Sequence, residues 1–230
     1  MCLKISPRYI VAFLLLVMVM LELHEMVHII TGRIICGDWG KRDFNVWGLC
    51  DGCEIKHPYA WLATLAGPLF SFAMMWLGMF LMNTADLKRR RAGFALIFAN
   101  IPFGRITQAM MSSGDEMVVT RHLLKGILSH NQQILLCSLI LLILGLPPVI
   151  KTWHDLANKN KWLYIIAFLT IPLVFIMLYV LTALNTLLNK GFLNNAWIMG
   201  TPLLITLHTC LALALLIGMR KSLLLAHSKN

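Results

Sequence analysis

Acidic residues are scarce in this chain: ten Asp and Glu stand among 230 residues, against 20 Lys and Arg. Charged residues of all kinds reach only 13%, about half the share of an ordinary soluble domain, and that scarcity excludes one. No basic patch interleaved with aromatics occurs between the apolar runs, so the formal net charge of +10 does not point to nucleic acid. The basic residues sit in short gaps, where they read as topology signals and lipid-headgroup contacts. Internal repeats and low-complexity linkers are missing, and the gaps are too short for a separate soluble domain. No small-residue cleavage site follows the first apolar run, so that run is expected to be retained rather than removed as a secretory signal.

What is present is apolar sequence. Hydrophobic residues make up 59% and the mean hydropathy is +0.75, the composition of a polytopic membrane protein. Runs long enough to span, about 20 residues, lie near 9–31, 60–82, 92–112, 133–150, 162–187 and 197–218. The fourth is short and ends at Pro147-Pro148. The expected fold class is all-α: a multi-pass, integral membrane helical domain over 1–230, with six transmembrane helices and both ends on one side. If that side is cytoplasmic, it collects Lys4, Arg8, Lys88, Arg89, Arg90, Arg91, Lys151, Lys159, Lys161, Arg220, Lys221 and Lys229. The other side holds Arg33, Lys41, Arg42, Lys56, Arg121, Lys125 and Lys190, and Arg105 stays within a span. A count of 12 against 7 favours a cytoplasmic N-terminus by the positive-inside rule.

The first run, YIVAFLLLVMVMLELHEMVHIIT over 9–31, carries Glu22, His24, Glu25 and His28 inside apolar sequence. Ionisable groups at membrane depth are costly and seldom idle. At about 100° per residue the four fall within one arc of roughly 160°, so one helix face is polar. His24 and His28 are four apart, which stacks both imidazoles on that face with Glu25 beside them. This is H-E-x-x-H: two metal ligands and a carboxylate placed to take a proton from an attacking water. The competing reading is a polar face that packs on partner helices or lines an ion path.

Residues 32–57 form the longest polar gap. RDFNVWGL lies there between Gly-containing turns, and a short β-hairpin is expected, whose free edge would accept an extended substrate as an added strand. Cys36, Cys50, Cys53 and His57 allow a Cys3His metal site, one disulfide with a spare thiol, or three unpaired small residues. The second span places Gly67-Pro68 within a helix, where a small residue lets a neighbour approach closely. In the third, Asn100 and Pro102 interrupt the helix, and Ser112-Ser113-Gly114 leads into Asp115-Glu116. Broken backbone at that depth lines a cavity or is buried in protein. An Asn there can hydrogen-bond a substrate, and an acidic residue beyond it can complete a metal's protein ligands.

His24-Glu25-x-x-His28, then Gly67-Pro68, then Asn100 with Pro102 and Asp115, resemble the site-2 protease family of intramembrane zinc metalloproteases. The resemblance covers roughly residues 9–120, with HExxH the specific part, and leaves 133–218 as additional transmembrane helices. It implies that His24, His28 and Asp115 hold zinc, that Glu25 is the general base and that Asn100 holds the substrate, a transmembrane protein in the bilayer. The family's Asn and Pro are three apart, whereas Asn100 and Pro102 are two apart. Its aspartate follows closely and precedes a glycine, whereas Asp115 comes fifteen residues after Asn100 and precedes Glu116. Glu116 and His122 therefore stand as alternative third ligands. Many family members also keep the catalytic end of this helix toward the cytosol, opposite to the charge count here. Two functions follow as expectations: a zinc-dependent endopeptidase cutting in or near transmembrane segments, or a non-proteolytic protein that binds or conducts divalent cations or protons through the same cluster. A di-metal lipid oxidase would need further His-rich boxes, which His122, His130, His154 and His208 do not form. His208, in mid-span, reads as a histidine bonded to a neighbouring helix.

Overall fold

The structure is a computed structural model that describes residues 1–224. It is mostly helical, and among the described residues five helices are long and apolar enough to cross a membrane. Helix α1, Pro7–Cys36, starts where Ser6 accepts a hydrogen bond from the Tyr9 N–H and Pro7 presets the first turn. It stops at Gly37, whose φ of 80° ends the ladder with its N–H on the Arg33 carbonyl. After a four-residue helix α2, Cys53–Lys56, α3 (Trp61–Met82) runs back along α1. Helix α4, Leu87–Ala99, reverses again behind the Asp86 cap. Gly78 and Gly93 let α3 and α4 touch backbone to backbone, since a Cβ on Gly93 would lie 2.3 Å from the Gly78 carbonyl oxygen.

The expected third span over 92–112 is not one helix. It breaks after Asn100 at Ile101, a β-branched residue at φ 52°, which Pro102 directly follows. Helix α5, Pro102–Met110, ends in a second break, with Ser112 at φ 56° and Gly114 at φ 88°. Helix α6, Asp115–Leu123, then completes the pass. So five helices qualify as spans rather than six, and a broken three-piece run makes the remaining crossing of the bundle.

Helix α7, His130–Asp155, opens on a Ser129/Gln132 capping box and continues through Pro147 and Pro148 instead of ending there. Pro148 brings no N–H to the Leu144 carbonyl one turn back, and the Trp76 indole N–H from α3 donates to that oxygen at 3.0 Å. Helix α8, Lys161–Asn189, is π-helical over Ile176–Leu184. The last expected span begins late: strand β1 (Ala196–Ile198) pairs antiparallel with β2 (Thr201–Pro202), and only then does α9, Leu203–Leu224, begin. The hairpin expected after α1 shrinks to one antiparallel bridge, Arg42 with Trp47. Asp43 closes its turn by accepting from the Asn45 and Val46 N–H groups at 2.8 and 2.7 Å.

The two ends of the bundle differ. At one end Leu3 N–H donates to Asn158 Oδ1, and Arg90 pairs with Asp155 at 3.2 Å, which gathers the N-terminus, the α3–α4 turn and the α7–α8 turn. At the other end Asn185 donates to Asn45, and the backbone at Gly200 lies against Gly40. The core around Phe13, Phe94, Phe98 and Phe168 fills the first end. Large apolar side chains stay exposed around the bundle, Leu69, Phe80, Ile143 and Leu178 among them, far more than a water-facing surface tolerates in one belt.

Candidate metal centre

His24 and His28 sit on α1 where it crosses α3 at Gly67. A Cβ on that glycine would lie 2.1 Å from His28 Nε2 and 2.7 Å from His24 Cε1, so the helix backbone itself is the wall behind both rings. The two breaks around α5 swing Asp115, the first residue of α6, onto the same point. His24 Nε2 and His28 Nε2 are 3.1 Å apart, and each lies 3.3 Å from Asp115 Oδ2. Two zinc bonds of about 2.05 Å at a tetrahedral angle place their ligand atoms roughly 3.3–3.4 Å apart. The three atoms therefore fit one ion of that size with a fourth position open.

The surrounding groups favour the ligating tautomers. His28 Nδ1 lies 2.7 Å from the Ala63 carbonyl oxygen, which can only accept, so Nδ1 carries the proton and Nε2 presents its lone pair. His24 Nδ1 has two neighbours at 3.0 Å, Ser71 Oγ and Arg105 Nη2. Arginine only donates, so of the two only Ser71, accepting from Nδ1–H, leaves His24 Nε2 free to ligate. Ser71 Oγ also accepts from Arg105 at 2.8 Å. With both imidazoles so set, two lone pairs and a carboxylate oxygen converge, an arrangement that repels unless a cation lies between them.

Of the alternative third ligands, Glu116 turns to Arg105 at 2.8 Å and His122 stacks on Trp61 with ring centroids 6.0 Å apart; neither joins the cluster. Glu25 is 4% exposed and its Oε2 has no hydrogen-bond partner. It lines a cavity of about 400 Å³ together with His24, Asp115, Asn100, Arg105 and Trp47. Asn100 donates its Nδ2–H to the Leu96 carbonyl at 2.8 Å, which fixes the amide and leaves Oδ1 buried and unpartnered.

The loop cysteines resolve differently from a Cys3His site. Cys36 and Cys53 form a disulfide with Cα atoms 5.5 Å apart, Cys50 is the spare thiol beside them, and His57 caps α2 outside the group. His208 lies against Phe44 and 3.2 Å from the Tyr179 hydroxyl, the helix-to-helix contact expected of it.

Four participants were not singled out from sequence. Trp47 stacks on His28, centroids 4.5 Å apart at 9°, and closes the site from the loop side. Arg42, fully buried, holds Glu22 by two bonds of 2.8 Å, which anchors that loop to α1. Ser71 and Arg105 support His24. Of these, Arg105 carried a visible signal, a cation inside an apolar run; the other three carried none. Comparison of the chain with protein-family models, with curated proteins and with solved structures finds no match.

Proposed function

We propose that this chain is an integral membrane zinc endopeptidase that hydrolyses peptide bonds in or near transmembrane segments, as its resemblance to the site-2 proteases implies. The single observation that carries the reading is three ligand atoms at zinc spacing beside a buried carboxylate oxygen that nothing else uses. His24, His28 and Asp115 would hold the ion. Bound there, zinc supplies Lewis acidity and brings the ionisation of water near neutral pH. Glu25 faces the same cavity and is the base that takes the proton of the attacking water and returns it to the leaving amine. Asn100 Oδ1 accepts from a substrate N–H, which orients the chain.

Asn45, Val46 and Trp47, in the loop that the Arg42–Trp47 bridge closes, line the cavity beside these groups, where an extended substrate segment would lie. An intact helix hides its carbonyls, so the substrate segment must unwind to be cut. A cation- or proton-conducting role would use the same ligands, but it gives no work to the buried acceptor amide of Asn100 beside them.

The test is the metal content of the detergent-purified protein and of His24→Ala, His28→Ala and Asp115→Ala. About one zinc per chain is expected in the parent and loss in all three variants. A parent purified without chelators that holds no zinc overturns the proposal. Zinc bound without any cleavage of transmembrane reporters in liposomes, or transport that survives Glu25→Gln, favours the conducting role instead.

A further inference from the structure

The two ends of the bundle carry different chemistry, and the cavity belongs to one of them. The end that holds Met1, Arg90 and Asp155 also receives the close of α9. Of the twelve basic residues counted to that side, Lys229 lies outside the described residues. Among the described ones, each side has one basic residue buried in the fold, Arg91 among the twelve and Arg42 among the seven. The asymmetry of the positive-inside rule therefore stands once the fold is known.

An independent observation lies at the less basic end. The disulfide joins the last residue of α1 to the first of α2, and disulfides persist in oxidising compartments rather than in the cytosol. Depth follows from the helix rise of about 1.5 Å per residue. Arg8 and Arg33 bracket the apolar part of α1. His28 then lies about 8 Å and His24 about 14 Å from the level of Arg33, but roughly 30 and 24 Å from that of Arg8. Residues 45–47 of the disulfide-closed loop line the cavity, so the cavity lies at this end of the bundle.

Building on the protease reading above, we infer that the metal centre opens away from the cytoplasm, in the outer half of the bilayer. Its substrate class is then membrane proteins cut in the exoplasmic half of a transmembrane segment, with the product released outward.

Two native thiols report the orientation directly. Cys2 is exposed at the basic end, and Cys50 is half-buried in the disulfide-closed loop at the opposite end. Cells expressing the full chain are treated with a membrane-impermeant maleimide, intact or permeabilised, and the labelled peptides are quantified by mass spectrometry. The expected result is Cys50 labelled in intact cells and Cys2 labelled at least tenfold more after permeabilisation. Because Cys50 is half-buried, Asp51→Cys, at an exposed neighbour, repeats the measurement. Cys2 labelled first, both labelled in intact cells, or neither loop thiol labelled until permeabilisation overturns the inference. Peptide mapping without reduction should recover Cys36 linked to Cys53, and recovery of all three loop cysteines as free thiols also overturns it. Glu25→Gln should label identically. A dead protease therefore leaves this result standing, and a reversed orientation leaves zinc content untouched.

Discussion

Gly67→Ala isolates the geometry of the metal centre with one methyl group. The added carbon would sit 2.1 Å from His28 Nε2, 2.5 Å from His28 Cε1 and 2.7 Å from His24 Cε1. Non-bonded carbon contacts settle near 3.5 Å, so the His28 ring must retreat by roughly 1.4 Å or the helices must part by a similar amount. Metal ligands hold their distances to about 0.2 Å, several times less than that displacement. His28 has little room to comply, since Trp47 stacks on its other face and the Ala63 carbonyl holds Nδ1. Zinc affinity should therefore fall by at least a hundredfold, alongside an overpacking cost of about 1–3 kcal/mol.

The assay is zinc per chain by mass spectrometry, read beside a thermal melt in the same detergent. Two further glycines separate metal loss from general damage. A Cβ on Gly78 would lie 2.7 Å from the Gly93 carbonyl oxygen, far from the ligands, so Gly78→Ala should melt earlier yet keep its zinc. Gly145, whose nearest neighbours would be 3.9 Å away, should accept alanine with neither effect. A Gly67→Ala protein that holds about one zinc per chain would refute the placement of α3 behind the imidazoles.

Three other perturbations test other parts of the site. Glu25→Gln keeps the shape but removes the base; cleavage should fall by about 10²–10⁴-fold with zinc content unchanged, and loss of the metal would show that Glu25 is a ligand instead. Ser71→Ala removes the acceptor that sets the His24 tautomer and should weaken zinc binding about 10–100-fold, measured by chelator competition; an unchanged affinity would refute the assignment of the His24 Nδ1 proton to Ser71. Glu22→Gln strands a fully buried Arg42, at a cost of about 3–5 kcal/mol, read as a lowered melting temperature. Glu22→Met with Arg42→Met should recover most of that loss, and a double variant as unstable as the single one would deny the coupling.

How much of this was legible beforehand depends on whether the governing geometry is local. Helix α1 was readable because a fixed period places His24, Glu25 and His28 on one face whatever surrounds them. The third pass was not, because a hydropathy window responds to composition and not to backbone direction. Residues 92–112 stay apolar across Ile101, whose left-handed φ of 52° no apolar scale registers, although Asn100 and Pro102 marked the place. The reverse error occurred at Pro147-Pro148. Two prolines read as a helix end, yet α7 continues, because the indole of Trp76 meets the stranded Leu144 carbonyl from a helix some seventy residues away in sequence. Proline signals a lost donor; whether a neighbour replaces it is a tertiary fact.

The same distinction separates the two halves of the ligand set. H-E-x-x-H is a statement about one helix, but the third ligand depends on where two backbone breaks send the chain, and behind Asp115, the first choice by resemblance, Glu116 and His122 stood as alternatives. Their separation comes from rotation about α6. Asp115 opens that helix and turns toward α1, Glu116 is one position on and meets Arg105, and His122 is two turns further and reaches Trp61. The rotation is set upstream at Gly114, whose φ of 88° few other residues adopt. A substitution such as Gly114→Ala would leave every side chain of the centre in place by sequence and still displace one of the three ligands. The fifteen residues between Asn100 and Asp115 are thus part of the site, because α5 carries Arg105 to Ser71 within them and the break that follows delivers the carboxylate.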